Sequence, residues 1–221
     1  SSTLWETKTL SSLGWNESEV QPLLDYLELK NSKSFIVLHN GKIVLEYYFN
    51  GHSSNSLWYW ASAGKTLTTS VTGIAEEEGY ININNKVSDY IGTGWTSAPL
   101  AKENLITCRH LLTMTSGLDD TNDAVDPASL TYLADAGTRW AYHNAPYTLL
   151  EKVITNSTGL NINTFTQTRI KNQTGMTGLW YTLEYDNVFI SKPRSMARFG
   201  LLIQNKGIWN NDTLLRDAAY V

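Results

Sequence analysis

The dipeptide Asn40-Gly41 does most to limit what this chain can become. It is flanked by Ser34-Phe35-Ile36-Val37-Leu38 and by Ile43-Val44-Leu45-Glu46-Tyr47-Tyr48-Phe49, two runs rich in β-branched and aromatic residues. Asn-Gly accepts the positive φ angles of a two-residue hairpin turn, so the pattern predicts two antiparallel strands that meet there. His39 then falls in the turn, and no ligand role is assigned to it. Two strands are a marginal sheet; about three over a buried face are needed for independent stability. The hairpin therefore calls for further strands beside it.

Helical periodicity fills most of the remaining chain. Over residues 18–30, Ser18 and Gln21 have the spacing of a capping box, and Val20, Leu23, Leu24 and Leu27 form an apolar stripe. A second helix runs from Ser62 to about Gly79, with Leu67, Val71, Ile74 and Ala75 inward and Glu76 to Glu78 solvated. Gly64 and Gly73 each cost roughly 1 kcal/mol there relative to alanine, which marks close packing. Residues 80–104 read as loop. A short helix starts at Thr107 and stops before Gly117, with Cys108 and His110 as packing residues. Further helices are expected over 145–156, over 162–171, and from Ser191, with Pro193 in its first turn, to Gly207. The run to Val221 reads as the opening of another.

The fold predicted is α+β: a mainly antiparallel sheet flanked by helices, with a helical lobe inserted after the Ser62 helix. Residues 1–60 and 191–221 form the sheet-containing lobe, and 61–190 the mainly helical one.

Charge and cysteine content exclude several functions. Lys and Arg number 17 against 21 Asp and Glu, a net charge of -4 with no basic face, so nucleic acid is not an expected partner. One cysteine, Cys108, allows no internal disulfide and no cysteine-based metal site. The apolar runs are too short to span a bilayer. Asp119, Asp120, Asp123 and Asp126 cluster, but without the glycine and glutamate an EF-hand loop needs at its sixth and twelfth positions. They read as an acidic surface loop. A start at Ser-Ser-Thr-Leu, only 17% charged residues and abundant Asn and Thr suit an extracytoplasmic protein, periplasmic or secreted.

The chemistry is concentrated at Trp58-Tyr59-Trp60-Ala61-Ser62-Ala63-Gly64-Lys65. Positions i and i+3 are neighbours on a helix, so Lys65 Nζ is expected over Ser62 Oγ. A serine hydroxyl becomes a nucleophile when an adjacent base takes its proton, and a helix N-terminus offers N–H groups to a developing oxyanion. Chance alone supplies about one Ser-x-x-Lys in a chain of this size. A second constellation is therefore needed. Tyr-x-Asn occurs at Tyr48, Tyr80, Tyr142 and Tyr185, and only Tyr142-His143-Asn144 lies in an aromatic loop directly before a helix. There a phenol and a carboxamide can project into a cleft, while His143, between them, points elsewhere.

On these segments the chain resembles the serine β-lactamase-like hydrolases, the branch of class C β-lactamases, D-alanyl-D-alanine carboxypeptidases and related esterases. The hairpin, Ser62-x-x-Lys65, the run His110-Leu111-Leu112-Thr113-Met114-Thr115-Ser116-Gly117-Leu118, Trp140-x-Tyr142-x-Asn144, Thr174-Gly175-Met176 and Met196-Ala197-Arg198-Phe199-Gly200 follow the family's order. The resemblance implies that Ser62 is the nucleophile, Lys65 its proton partner and Tyr142 the companion acid/base. Asn144 would bind the acyl side of the substrate. Lys65 and Tyr142 both remain open as the general base. No metal and no cofactor are implied.

The implied activity is hydrolysis of a small ester, amide or peptide through an acyl-enzyme, with an esterase or peptidase favoured over a dedicated β-lactamase. A non-catalytic penicillin-binding or sensor domain is the alternative.

One departure stands out. The family's third motif, Lys or His, a residue, then Gly on a late strand, has no counterpart after Tyr142; the sole His-x-Gly is His39-Asn40-Gly41 in the hairpin. The expectation is that C-terminal strands are missing and that a second polypeptide, or sequence outside these 221 residues, completes the sheet.

Overall fold

The computed structural model describes residues 4–216. Helix α1 (Val20–Leu29) precedes the hairpin β1 (Ser34–His39) and β2 (Lys42–Tyr48). Strand β3 (Trp58–Tyr59) leads through a 3-10 turn, Ala61–Ala63, into α2 (Gly64–Glu77). Short helices α3 (Ser88–Ile91), α4 (Leu100–Glu103) and α5 (Cys108–Leu112) follow, then α6 (Asn144–Thr148), α7 (Leu150–Thr158), α8 (Ile162–Thr166) and α9 (Asn172–Thr174). Strands β4 (Leu179–Leu183) and β5 (Asp186–Ser191), helix α10 (Pro193–Gln204) and a small hairpin, β6 (Ile208–Trp209) and β7 (Asp212–Thr213), complete the order.

The first hairpin forms as its sequence dictates. Asn40 and Gly41 take φ of 50° and 76°, the pair of positive angles that matches the twist of the flanking strands. His39 closes β1, its ring edge-on to Trp15. Glu46 of β2 forms a bidentate pair with Arg194 of α10, both contacts at 2.7 Å, which ties the hairpin to the body. The Arg194 hydrogen bonds hold the Glu46 carboxyl below its usual range. The apolar stripe of α1 is only partly covered: Leu24 is buried, Val20 and Leu27 are half-buried, and Leu23 is exposed. Its entry is also set differently from the Ser18 capping box. Asn16 accepts from the Ser18 backbone N–H and hydroxyl, because a 3-10 turn intervenes at Glu17–Glu19.

All named strand pairs are antiparallel, but they are divided into three units rather than one sheet: β1–β2, β3–β5–β4 and β6–β7. The β4–β5 hairpin was not expected from the sequence, since Glu184-Tyr185 between its runs lacks the Asn-Gly type of turn signal. Residues 6–8 pair with Ile43 along the outer edge of β2. Among the described residues no strand pairs with the second edge of β1.

Helix α2 is the centre of the packing. Leu67, Val71 and Ala75 are fully buried and share one core with Leu150, Val153 and Ile154 of α7, Phe165 of α8, Phe189 of β5 and Leu202 of α10. Each of the Leu, Val, Ile and Phe side chains among them stabilises the fold by about 1.5–3 kcal/mol when fully buried.

Elsewhere the helices are more broken than periodicity suggests. The 145–156 segment divides at Leu149, 162–171 passes into a π-helical turn at Gln167–Lys171, and α3 and α4 lie inside the supposed loop 80–104. Buried Glu103 organises that loop by accepting from the Gly94 and Thr96 N–H groups and the Thr96 hydroxyl. Ser191 ends β5 rather than opening α10, because its hydroxyl accepts from the Trp60 indole at 2.8 Å. Residues 217–221, where a further helix was expected, lie outside the described residues.

The run from His110 to Leu118 is structural. Thr107 and His110 form a reciprocal capping box at the start of α5. Gly117, at φ 76°, lies where a Cβ would fall 2.2 Å from the Ala134 carbonyl oxygen, and its own carbonyl accepts from the Leu133 and Ala134 N–H groups. We expect Gly117→Ala to lose roughly 2–6 kcal/mol by urea denaturation, left-handed strain added to overlap. Gly79→Ala, at φ 78° with open space around it, should lose only about 1–2 kcal/mol.

Candidate active site

Ser62 is held by the elements on either side of it. Before it, Trp58 and Tyr59 pair with Ser191 and Ile190 of β5, and the Trp60 N–H donates to the Phe189 carbonyl at 2.8 Å. The Trp60 ring is buried against Phe189 and Phe199. Ala61 then takes φ 47°, a left-handed angle uncommon outside glycine, and the chain turns sharply into α2. After it, Gly64 packs against Phe189, where a Cβ would meet ordinary contacts at 3.7–3.8 Å. Ser62 is left exposed at the end of a helix whose far side is core.

Lys65 lies one turn on, half-buried, as its spacing predicts. Its Nζ donates to Asn144 Oδ1 at 2.8 Å and makes a long contact of 3.4 Å with Ser62 Oγ. The ammonium also lies 5.0 Å from the Tyr142 ring centroid and 5.7 Å from that of Tyr147, within cation–π range. The Tyr142 hydroxyl donates to Ser62 Oγ at 2.6 Å, so the phenol is closer to that oxygen than the Lys65 ammonium is. Burial pushes the Tyr142 phenol up, but hydrogen bonds with Lys65 and Ser62 and the Lys65 charge outweigh it. The net position is below the ordinary phenol value. Four residues chosen from sequence thus meet across 80 residues of chain.

The supports of this group include several side chains that sequence reading did not select. Tyr147, one turn beyond Asn144 on α6, donates to the Lys65 carbonyl and shares a hydrogen bond with the Thr69 hydroxyl, each at 2.7 Å. Burial raises its phenol to about 12, so it stays a neutral brace. Its i+3 relation to Asn144 was the available signal.

The acidic stretch is not merely a surface loop. Asp123 accepts from both the backbone N–H and the side-chain amide of Asn144, at 3.2 Å each. Buried His143 turns away from Ser62, its Nε2 on the Asn122 carbonyl at 3.0 Å. The other carboxylates of the stretch are used locally: Asp119 by the Thr121 N–H, Asp120 by Arg139, Asp126 by Ser129.

A cavity of about 200 Å³ opens beside Ser62, lined by Tyr59, Lys65, Asn144, Glu151 and Asp186 among others. Asp186 and Asn187, from the fourth Tyr-x-Asn, form part of its wall. Burial raises the carboxyls of both Glu151 and Asp186, and for Asp186 the Lys65 charge opposes it. His39, Asn40 and Gly41 line a different cavity, between the first hairpin and α10. The His-x-Gly of this chain therefore lies outside the Ser62 cavity.

A sequence profile of the family described as Beta-lactamase matches residues 31–218. Among solved structures, the fold is similar to that of a candidate 6-aminohexanoate-dimer hydrolase from Bacillus anthracis, at 20% identity and a TM-score of 0.78, covering 99% of this chain and 66% of that one. It is also similar to a candidate β-lactamase from Bacteroides dorei, at 18% identity and 0.76, covering 93% and 68%. A third likeness is to the octameric penicillin-binding protein homologue from Pyrococcus abyssi, at 15% identity and 0.74, covering 92% and 58%. The chain thus spans about two thirds or less of the length of these proteins. No curated protein matches its sequence.

The Tyr142 environment is open to direct titration. Ultraviolet difference spectra should show one phenol ionising below the ordinary value near 10, and Tyr142→Phe should remove that transition. Lys65→Ala should move it upward, because burial then acts with less opposition. An unchanged titration in Lys65→Ala would contradict the coupling.

Proposed function

The chain belongs to the β-lactamase family of serine hydrolase fold, and from that premise we propose that it hydrolyses a small ester, amide or peptide through an acyl-enzyme on Ser62. The observation that carries this reading is the 2.6 Å hydrogen bond between the Tyr142 hydroxyl and Ser62 Oγ, with the Lys65 ammonium beside both. In the proposed sequence Tyr142, as phenolate, takes the Ser62 proton while Oγ attacks the acyl carbon. Lys65 stabilises the phenolate by its charge. The same phenol returns the proton to the leaving group, and later takes one from the attacking water and passes it to Ser62 Oγ as the acyl–Oγ bond breaks. This assigns the base to Tyr142 on proximity, with Lys65 as its electrostatic partner and Asn144 as the group that holds Lys65. The remaining amide hydrogen of Asn144 is available to the acyl side of a substrate.

The cavity wall supports a preference among substrates. Glu151 and Asp186 face the same space as Ser62 and Lys65, which favours substrates with an ammonium or a hydrogen-bond donor over those with a second carboxylate. An unlike-charge contact at 4 Å is worth about 1–4 kcal/mol between bulk water and a protein-surface dielectric. Among nitrophenyl esters, an aminoacyl ester should therefore exceed its succinyl counterpart in kcat/KM by about tenfold or more. Equal rates would remove this preference. We further propose that strands from a second polypeptide or a longer chain pair with β1 and cover the exposed side of Ser62, and that the protein acts outside the cytoplasm.

The assignment of Ser62 is tested by labelling with a fluorophosphonate and mapping the adduct by peptide mass spectrometry. Label should sit on Ser62 and vanish in Ser62→Ala. Lys65→Ala and Tyr142→Phe should each lower turnover by about 10²–10⁴, and the double variant should be little worse than the worse single, since both disable one proton transfer. Fully additive losses would count against a shared step. A stoichiometric burst without turnover would instead favour a penicillin-binding or sensor role.

A further inference from the structure

Asn144 makes contacts on both sides of its amide, and the two sides are chemically distinct. Oδ1 accepts from Lys65 Nζ at 2.8 Å, while Nδ2 donates to Asp123 Oδ2 at 3.2 Å. An amide turned by 180° would set its NH₂ against the Lys65 ammonium, donor to donor, and its oxygen against the Asp123 carboxylate, acceptor to acceptor. The second carboxylate oxygen of Asp123 takes the Asn144 backbone N–H at 3.2 Å, so the same residue also caps the first turn of α6. No residue on α6 does this itself, and the N-cap residue His143 makes no side-chain cap. His143 is instead 3% exposed, with Nε2 on the Asn122 carbonyl, which holds the Asn122–Asp123 backbone against the start of α6.

We propose that Asp123 is a positioning residue for the reaction at Ser62: it fixes one orientation of the Asn144 amide, and through it the place of the Lys65 ammonium beside Ser62 and Tyr142. The inference rests on the Ser62 acyl-enzyme reading and adds a residue that touches neither substrate nor nucleophile. Asp123 acts through Asn144 Oδ1, the closest polar contact of Lys65 Nζ. Without the carboxylate only Lys65 itself orients the amide, the lysine loses an acceptor fixed from the far side, and the 3.4 Å approach of Nζ to Ser62 Oγ is held less firmly. The helix cap and the amide lock are separable, because one uses the backbone of Asn144 and the other its side chain.

The test is a pair of mutant cycles read by the rate of fluorophosphonate acylation of Ser62, with thermal melting alongside. Asp123→Ala should slow acylation about 10–100-fold, the range for loss of a hydrogen bond involving a charged group. In an Asn144→Ala background the same change should have no further effect on the rate. The melting temperature should fall on Asp123→Ala in both backgrounds, since the backbone cap is lost in each. Equal rate losses in the two backgrounds would overturn the proposal and leave Asp123 a helix cap.

An exchange variant covers the case in which Asp123→Ala does not fold. Asn144→Asp alone sets two carboxylates against one another and should acylate slowly. Asp123→Asn with Asn144→Asp restores one donor and one acceptor across the contact, and should recover at least about tenfold of that rate. No recovery would overturn the proposal. The two readings fail differently: absence of any label on Ser62 removes the acyl-enzyme and this inference together, whereas normal labelling of Asp123→Ala removes the inference alone.

Discussion

The hydrogen bond from Lys65 Nζ to Asn144 Oδ1 joins the two halves of the site across 79 residues of chain. One partner stands on α2 and the other on α6, so the contact exists only if both helices are correctly docked. A hydrogen bond to a charged group contributes about 1.5–3 kcal/mol, too little to hold two helices together. The packing of α2 on α7, through Leu67, Val71, Leu150, Val153 and Ile154, provides the docking, and the hydrogen bond selects the lysine's position within it. Tyr147 reinforces the same junction by donating to the Lys65 carbonyl.

From this junction the remaining arrangement follows. Lys65, once placed, lies near the Tyr142 ring and lowers its phenol, while Tyr142 donates to Ser62 Oγ. Ser62 itself is positioned from the opposite side, by the pairing of β3 with β5 and by the buried Trp60. The turn at Ala61, with φ 47°, redirects the chain between these two supports. The loop that carries Tyr142 is placed by α5 and the close crossing at Gly117, and Ala141 donates to the Met114 carbonyl at 3.1 Å. The run from His110 to Leu118 thus bears on the site at second hand, by setting where the Tyr142 loop begins.

Burial is uneven about Ser62. Behind Ser62 lies the shared core; exposed beside it are the rings of Trp58, Tyr59 and Tyr142. The cavity on this side joins one lysine to two carboxylates, so its electrostatics are set by residues from α2, α7 and β5 together. No single segment carries that balance.

Local chemistry made much of the chain legible. Asn40-Gly41 determined a hairpin because two successive positive φ angles suit few other residues, and the 3.6 periodicity of α2 determined which face meets the core. The Ser62–Lys65 spacing is likewise local, as is the position of Tyr142 and Asn144 before a helix. What the sequence did not yield depends on contacts between distant segments. The β4–β5 hairpin had no strong turn signal, and its strands are held by Phe189 and Trp180 packing into the core. Asp123, read as one of four surface carboxylates, reaches Asn144 because a loop 21 residues away folds back onto α6. Asp186 and Glu151 share a cavity with Ser62 only after β5 and α7 have packed on α2. The sequence by itself determined the local frames of Ser62, Lys65, Tyr142 and Asn144, since those depend on backbone angles and helical spacing. Tertiary structure decided which carboxylates face them, since that depends on which apolar surfaces meet.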